Sequence, residues 1–118
     1  MKKVIKVGTI EGRHDMPVDM FIINEVIDPM DFKKINHMIN DRMKEIFEPF
    51  IVSKSGVAIN ASTWDESMVF EAPDIRVEVF VTGFTPVTIA IIQWMNRNGI
   101  DFVPMHWNRD TNTFVPQW

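Results

Sequence analysis

Cysteine is absent from this chain of 118 residues. Disulfides, thiol nucleophiles and cysteine-ligated zinc are therefore excluded. No segment approaches the roughly 18 uninterrupted apolar residues of a membrane span. The start, Met1 to Gly8, has no apolar stretch long enough for a signal peptide. These absences lead us to expect a cytoplasmic protein with no membrane partner. Lys and Arg form no block, and the formal net charge is −4. Duplex DNA or RNA is then a poor partner, because such binding rests on neutralising phosphates. Repeats, linkers and low-complexity segments are also missing, and the length suits one domain, residues 1–118.

The chain is rich in apolar residues. They make up 46% of it, enough for a real core. Nine Met, nine Phe and four Trp are many for this length. Ordinary core accounts for much of this. Aromatic side chains and adaptable Met also suit pockets and subunit contacts, so a homo-oligomer, dimer or higher, is expected.

Residues 3–10 alternate and predict a strand. A polar loop with turn residues follows, and Val18 to Val26 suits a second strand, a hairpin partner of the first. Asp28 is a good N-cap and Pro29 fits the first position of a helix. Phe32, Ile35, Ile39, Met43 and Ile46 then fall at helical spacing, widened by Met38 and Phe47, and the helix ends before Pro49. Strands are expected over Phe50 to Ile59, Met68 to Ala72 and Ile75 to Val81, with a polar loop over Asn60 to Ser67. Thr85 is expected to cap a second helix, with Pro86 at its first position and Asn98 and Gly99 closing it. That helix is apolar nearly all round, which predicts cover from both the sheet and a second subunit. Ile100 to His106 is another strand, parallel to the third and joined to it by a right-handed crossover. A turn over Asn108 to Asn112 leads back into an edge strand, Thr113 to Pro116. Pro104 and Pro116 point to edge or end positions. The class is α+β: one mainly antiparallel mixed sheet with a βαβ crossover and two helices.

Three segments carry possible chemistry. The turn Thr82, Gly83, Phe84, Thr85 brings backbone N–H groups to a helix start, where unpaired donors and the helix dipole favour anions. Gly83 permits close approach of a ligand and Phe84 offers a flat face. A Walker lysine and a dinucleotide glycine fingerprint are lacking, so a plain strand-to-helix connection is the competing account. The second segment runs from His106 to Asp110. In a parallel crossover it shares a sheet edge with the first, so Trp107 and Phe84 could sandwich a base while Arg109 pairs with phosphate and Asn108 or Asp110 bonds to a base edge or ribose hydroxyl. A hairpin with a solvated tip is its bland alternative. The third is Arg13, His14 and Asp15, where His14 could act as a base or ligand contact, or simply occupy a polar loop tip.

Weaker signals stay structural. His37 has no second ligand at metal spacing, Asn60 to Ser62 fits a glycosylation sequon by chance, and Asp65 with Glu66 reads as a solvated turn. Trp118 at the chain end is expected to dock on a neighbouring subunit. No Ser-His-Asp set can be assembled, and no cofactor or metal is called for.

The opening Val4 to Val18 (VIKVGTIEGRHDMPV), with VTGFT from Val81 and MHWNRD from Met105, resembles small phage proteins of the first Thoeris anti-defence family. The resemblance spreads over most of the chain without a diagnostic motif. It implies a non-enzymatic sponge that captures cyclic ADP-ribose-type signals made by bacterial TIR-domain enzymes, in the host cytoplasm. Some members also hold cyclic oligonucleotides, and members assemble as dimers and higher oligomers. The character of the family's site, an aromatic face with arginine and asparagine, would fall on Phe84, Asn108 and Arg109. Two other functions remain open: a small nucleotide hydrolase or cyclase with His14 or His106 as base, and an interaction module without ligand.

Overall fold

The computed structural model describes residues 3–11, 16–26, 28–48, 75–82 and 84–118. In chain order the elements are strand β1 (Lys3–Ile10), strand β2 (Met20–Ile23), helix α1 (Phe32–Phe47), strand β3 (Ile75–Phe80), helix α2 (Thr85–Arg97), strand β4 (Phe102–Asn108) and strand β5 (Thr113–Pro116). They form one five-stranded mixed sheet, ordered β2-β1-β3-β4-β5, with two helices: an α+β class. The strands expected over 50–59 and 68–72, with the loop between them, lie outside the described residues.

The direction of pairing corrects one expectation. Three of the four pairings among the described residues are parallel, and only β4 with β5 is antiparallel. The short polar connection after β1 predicts a hairpin, yet β2 runs parallel to β1, with Val7 opposite Met20 and Ile10 opposite Ile23. A parallel return ordinarily takes a dozen residues or more. Here the chain needs only to fall back from the level of Ile10 to that of Val7. Asp19 fixes that register: its N–H donates to the Lys6 carbonyl at 2.8 Å, and its Oδ2 accepts from the Lys6 N–H at 2.9 Å. Gly8 is needed beside this pair. A Cβ there would meet the Phe21 ring at 2.6 and 2.7 Å.

The crossover from β3 through α2 to β4 is borne out, with parallel pairing from Val77–Phe102 to Phe80–Met105. Pro104, however, lies in an interior strand. Its carbonyl accepts from Gln117 just past the end of β5. The carbonyl and nitrogen of one strand residue face the same neighbour, so the missing N–H falls where the β5 ladder stops.

Both helices pack against each other and against one face of the sheet. Ile5, Val7, Val77 and Val79 from the strands meet Ile35, Ile39, Met43 and Phe47 of α1 and Val87, Ile91, Trp94 and Met95 of α2. Phe47 stacks on Trp94 with centroids 5.6 Å apart. A smaller cluster, Phe80, Val103 and Met105, lies on the other face with Met16, Val18 and Phe114. Arg42 of α1 ties the helix to edge strand β2, donating to the carbonyls of Phe21 at 3.2 Å and Ile22 at 3.0 Å.

The helix ends follow the sequence with two shifts. α1 begins three residues later than Asp28 and Pro29 suggest. Asp28 instead makes a turn, accepting from the Met30 N–H at 2.9 Å, and Asp31 becomes the N-cap, accepting from the Lys34 N–H at 3.1 Å. In α2, Thr85 is already helical, Phe84 is the N-cap, and its side chain makes no cap bond. The far end closes as expected on Asn98 and on Gly99, at φ 65°.

Candidate ligand edge of the sheet

Because β1, β3 and β4 run parallel, their carboxyl ends share one edge, and α2 starts from it. The connection from β1 leads to β2 on one flank, whereas that from β3 leads to β4 on the other. The sheet therefore has a topological switch point between β1 and β3, the place where open sheets with parallel strands form a ligand crevice. At this point two threonines meet. Thr9 and Thr82 are buried, and their Oγ1 atoms lie 2.9 Å apart. One hydroxyl donates and the other accepts, which leaves three lone-pair sites and one hydroxyl hydrogen at the carboxyl ends of the two strands.

Other residues singled out by the sequence distribute around this edge. Val81 donates to the Met105 carbonyl at 3.0 Å, so Thr82 continues β3 at the level where β4 reaches Trp107. Phe84 is half-buried and packs on the helix-side core. Its carbonyl accepts from both the N–H and the Oγ1 of Thr88, at 3.2 and 3.3 Å. Trp107 makes an edge contact with Phe114 at 5.2 Å, and Phe114 makes another with Phe80 at 4.9 Å, all on the opposite face. Strand alternation explains this, since Val103, Met105 and Trp107 share one side of β4. The two rings expected to sandwich a base therefore share an edge of the sheet but face away from each other.

Asn108 and Arg109 open the hairpin that the turn residues predicted. Asn108 Oδ1 accepts from the Asp110 N–H at 2.9 Å, and Asn112 takes left-handed geometry at φ 52°. The Asn108 carbonyl oxygen is thus engaged, and its Nδ2 is the group available to a ligand. Arg109 is exposed at the rim. Thr85 is exposed too, and it lines a depression between the helices with Phe32, Asn36 and Ile89. Arg13, His14 and Gly83 lie outside the described residues.

The first residues of α2 supply donors. Pro86 has no N–H and Phe84 gives no side-chain cap, so the first-turn N–H groups are not claimed by a side chain among the described residues. Thr9 escaped the sequence reading. Its signal was one hydroxyl in the otherwise apolar run from Val7 to Ile10, and only the β1–β3 pairing shows what it meets.

His37 pairs with Asp41 at 3.3 Å on the exposed face of α1, and no cluster of His, Asp and Glu among the described residues suits a metal ion. His106 Nε2 lies 2.6 Å from Gln117 Oε1. Trp118 stays 63% exposed with its ring edge against its own Phe102 at 5.6 Å. Among the described residues no helix is long and apolar enough to cross a membrane.

No protein-family model, curated protein or solved structure matches the chain. The likeness to the Thoeris anti-defence family therefore rests on the residues quoted for it.

Proposed function

We propose that this protein is a non-enzymatic binder of a small phosphate-bearing ligand of the cyclic-nucleotide type, held at the carboxyl edge of β1, β3 and β4. The observation that carries this reading is the buried Thr9–Thr82 pair at the switch point, beside a helix start without a side-chain cap. The phosphate would take the first N–H groups of α2, with Arg109 pairing from the rim and Asn108 Nδ2 meeting a base or ribose. The family resemblance supplies the biological reading: sequestration of a cyclic ADP-ribose-type immune signal, and so inhibition of bacterial anti-phage defence.

Magnitudes shape this proposal. Nanomolar capture needs about −12 kcal/mol. One stacked base contributes roughly 1–3 kcal/mol. Two or three charge-assisted hydrogen bonds contribute about 1.5–3 kcal/mol each. With Phe84 and Trp107 turned apart, only one stacking face is available, so tight capture calls for a second subunit to close the edge.

The test is incubation with cyclic ADP-ribose and with cyclic dinucleotides, followed by gel filtration, heat denaturation and mass spectrometry of the released small molecule. Intact ligand recovered at one equivalent per chain is the expected result. A converted ligand would move the reading to a hydrolase or cyclase. No retained ligand and no thermal shift with any of them would leave an interaction module.

A further inference from the structure

The first turn of α2 forms one wall of a depression of about 350 Å³ that reaches across to α1. Phe32 and Asn36 stand one turn apart on α1, and Ile89 and Gln93 do so on α2. All four line the depression, so each helix presents a large apolar group followed by an amide. Phe32 and Ile89 are 49% and 51% exposed. The two amides also line a narrower crevice of about 90 Å³, together with Asn40. Asn40 Oδ1 is buried and has no hydrogen-bond partner among the described residues. An acceptor left in that state is costly, so a donor brought to it is favoured. Arg97 borders the crevice too but already has a partner.

These features describe an occupant. No charged side chain lines the depression among the described residues, so the group it takes is neutral. Ligand pockets run from about 300 to 1,000 Å³, and a volume at the small end suits one ring system. An exposed aromatic face opposite an exposed aliphatic one suits a flat ring. Asn and Gln amides each carry a donor and an acceptor, which match the amino and ring-nitrogen edge of adenine. A purely apolar guest would leave the Asn40 oxygen unsatisfied.

We infer that this depression holds the base of the proposed ligand, and that the base carries an amino group, as adenine does. The inference rests on the ligand reading above, because Pro86 belongs both to the depression and to the first turn of α2. Base and phosphate then lie against the same helix start. Phe32 stacks on the ring, Asn36 and Gln93 pair with its edge, and the amino group donates to Asn40 Oδ1. Asn108 is left to the ribose. A carbonyl in place of the amino group, as in hypoxanthine, would set oxygen against oxygen.

The probes are AMP, IMP and ribose 5-phosphate, titrated calorimetrically into the whole chain. AMP and IMP differ in an amino against a carbonyl group on the purine, and ribose 5-phosphate has no base. AMP binds at least about tenfold more tightly than either. Phe32→Ala lowers AMP to the level of ribose 5-phosphate, and Asn40→Ala brings AMP and IMP together. Thermal melts confirm folding of each variant. Should Asn40→Ala fail to fold, Gln93→Ala at an exposed position gives the second reading, a smaller ratio of AMP to IMP affinity. Arg109→Glu weakens AMP and IMP by the same factor. Equal affinity for AMP and IMP, no advantage of AMP over ribose 5-phosphate, or an unaffected Phe32→Ala variant would overturn the inference and leave the ligand edge standing. So would binding of cyclic ADP-ribose with none of AMP up to about 1 mM. If none of the four compounds binds, the ligand reading fails and the inference falls with it.

Discussion

The two helices start in opposite ways. α1 closes its own first turn: Asp28 makes the preceding turn, and the Asp31 carboxylate accepts the Lys34 N–H. α2 begins on Phe84 and carries Pro86 in its first turn, with no side-chain cap. Thr82 of the buried threonine pair lies two residues before Phe84. A capped start satisfies its donors within the chain and gains stability, whereas an open start leaves donors for something else. The chain has capping residues at its disposal, including Thr85 one position on. On the proposed reading, the start of α2 is the end that takes the ligand.

The threonine pair is where this contrast is most easily broken. Thr82→Val leaves the Thr9 hydroxyl buried without its partner and should cost about 1–3 kcal/mol in urea denaturation. Thr9→Val should cost a similar amount. The double variant should recover most of the loss, because two matched apolar groups replace two matched hydroxyls. Ligand retention should stay impaired in all three. A double variant that regains both stability and ligand binding would make the pair a packing detail with no part in recognition.

Arg109→Glu is next in size. The residue is exposed at the hairpin rim, so the substitution should leave the melting temperature unchanged. It should weaken binding of cyclic ADP-ribose at least tenfold, or about 1.4 kcal/mol, in calorimetric titration. Unchanged affinity would separate the hairpin from the start of α2 and confine the site to the switch point.

These residues also mark how far the chain could be read in advance. The crossover from β3 to β4 was legible because its signals are local: an alternating strand, Pro86 at the helix start, Gly99 at its end. The direction of β2 was not, because it depends on the reciprocal bonds between Asp19 and Lys6 across 13 positions of sequence. Of the two threonines, Thr82 was found on the turn it precedes, but its partner Thr9 lies 73 positions away in sequence. Spacing placed Phe84 and Trp107 at the same edge. It did not reveal that one ring joins the helix-side core while the other faces Phe114. Contacts set by neighbours in sequence were legible, and those set by register across the sheet were not.

Asp31→Ala tests the closed side of the comparison. Losing the cap of α1 should cost about 1 kcal/mol, read as a lower denaturation midpoint with an unchanged slope. On the proposed reading ligand affinity should not move, even though Phe32 next to Asp31 lines one depression with Thr85 and Pro86 at the start of α2. A loss of binding would mean that both helix starts serve the ligand and that the contrast drawn between them is misplaced.

Thr85→Ala should have the smallest effect. The sequence marks Thr85 as the cap of α2, and a cap replaced by alanine would cost about 1 kcal/mol. The structure instead places it inside the first turn, exposed, beside Pro86 and Ile89. An exposed helical threonine replaced by a better helix former should change stability by no more than about 0.5 kcal/mol, in the stabilising direction. Read beside Asp31→Ala under identical conditions, the pair of measurements decides whether the two starts truly differ. Equal destabilisation by both would show that α2 caps itself through Thr85, and its first N–H groups would then no longer be open to an anion.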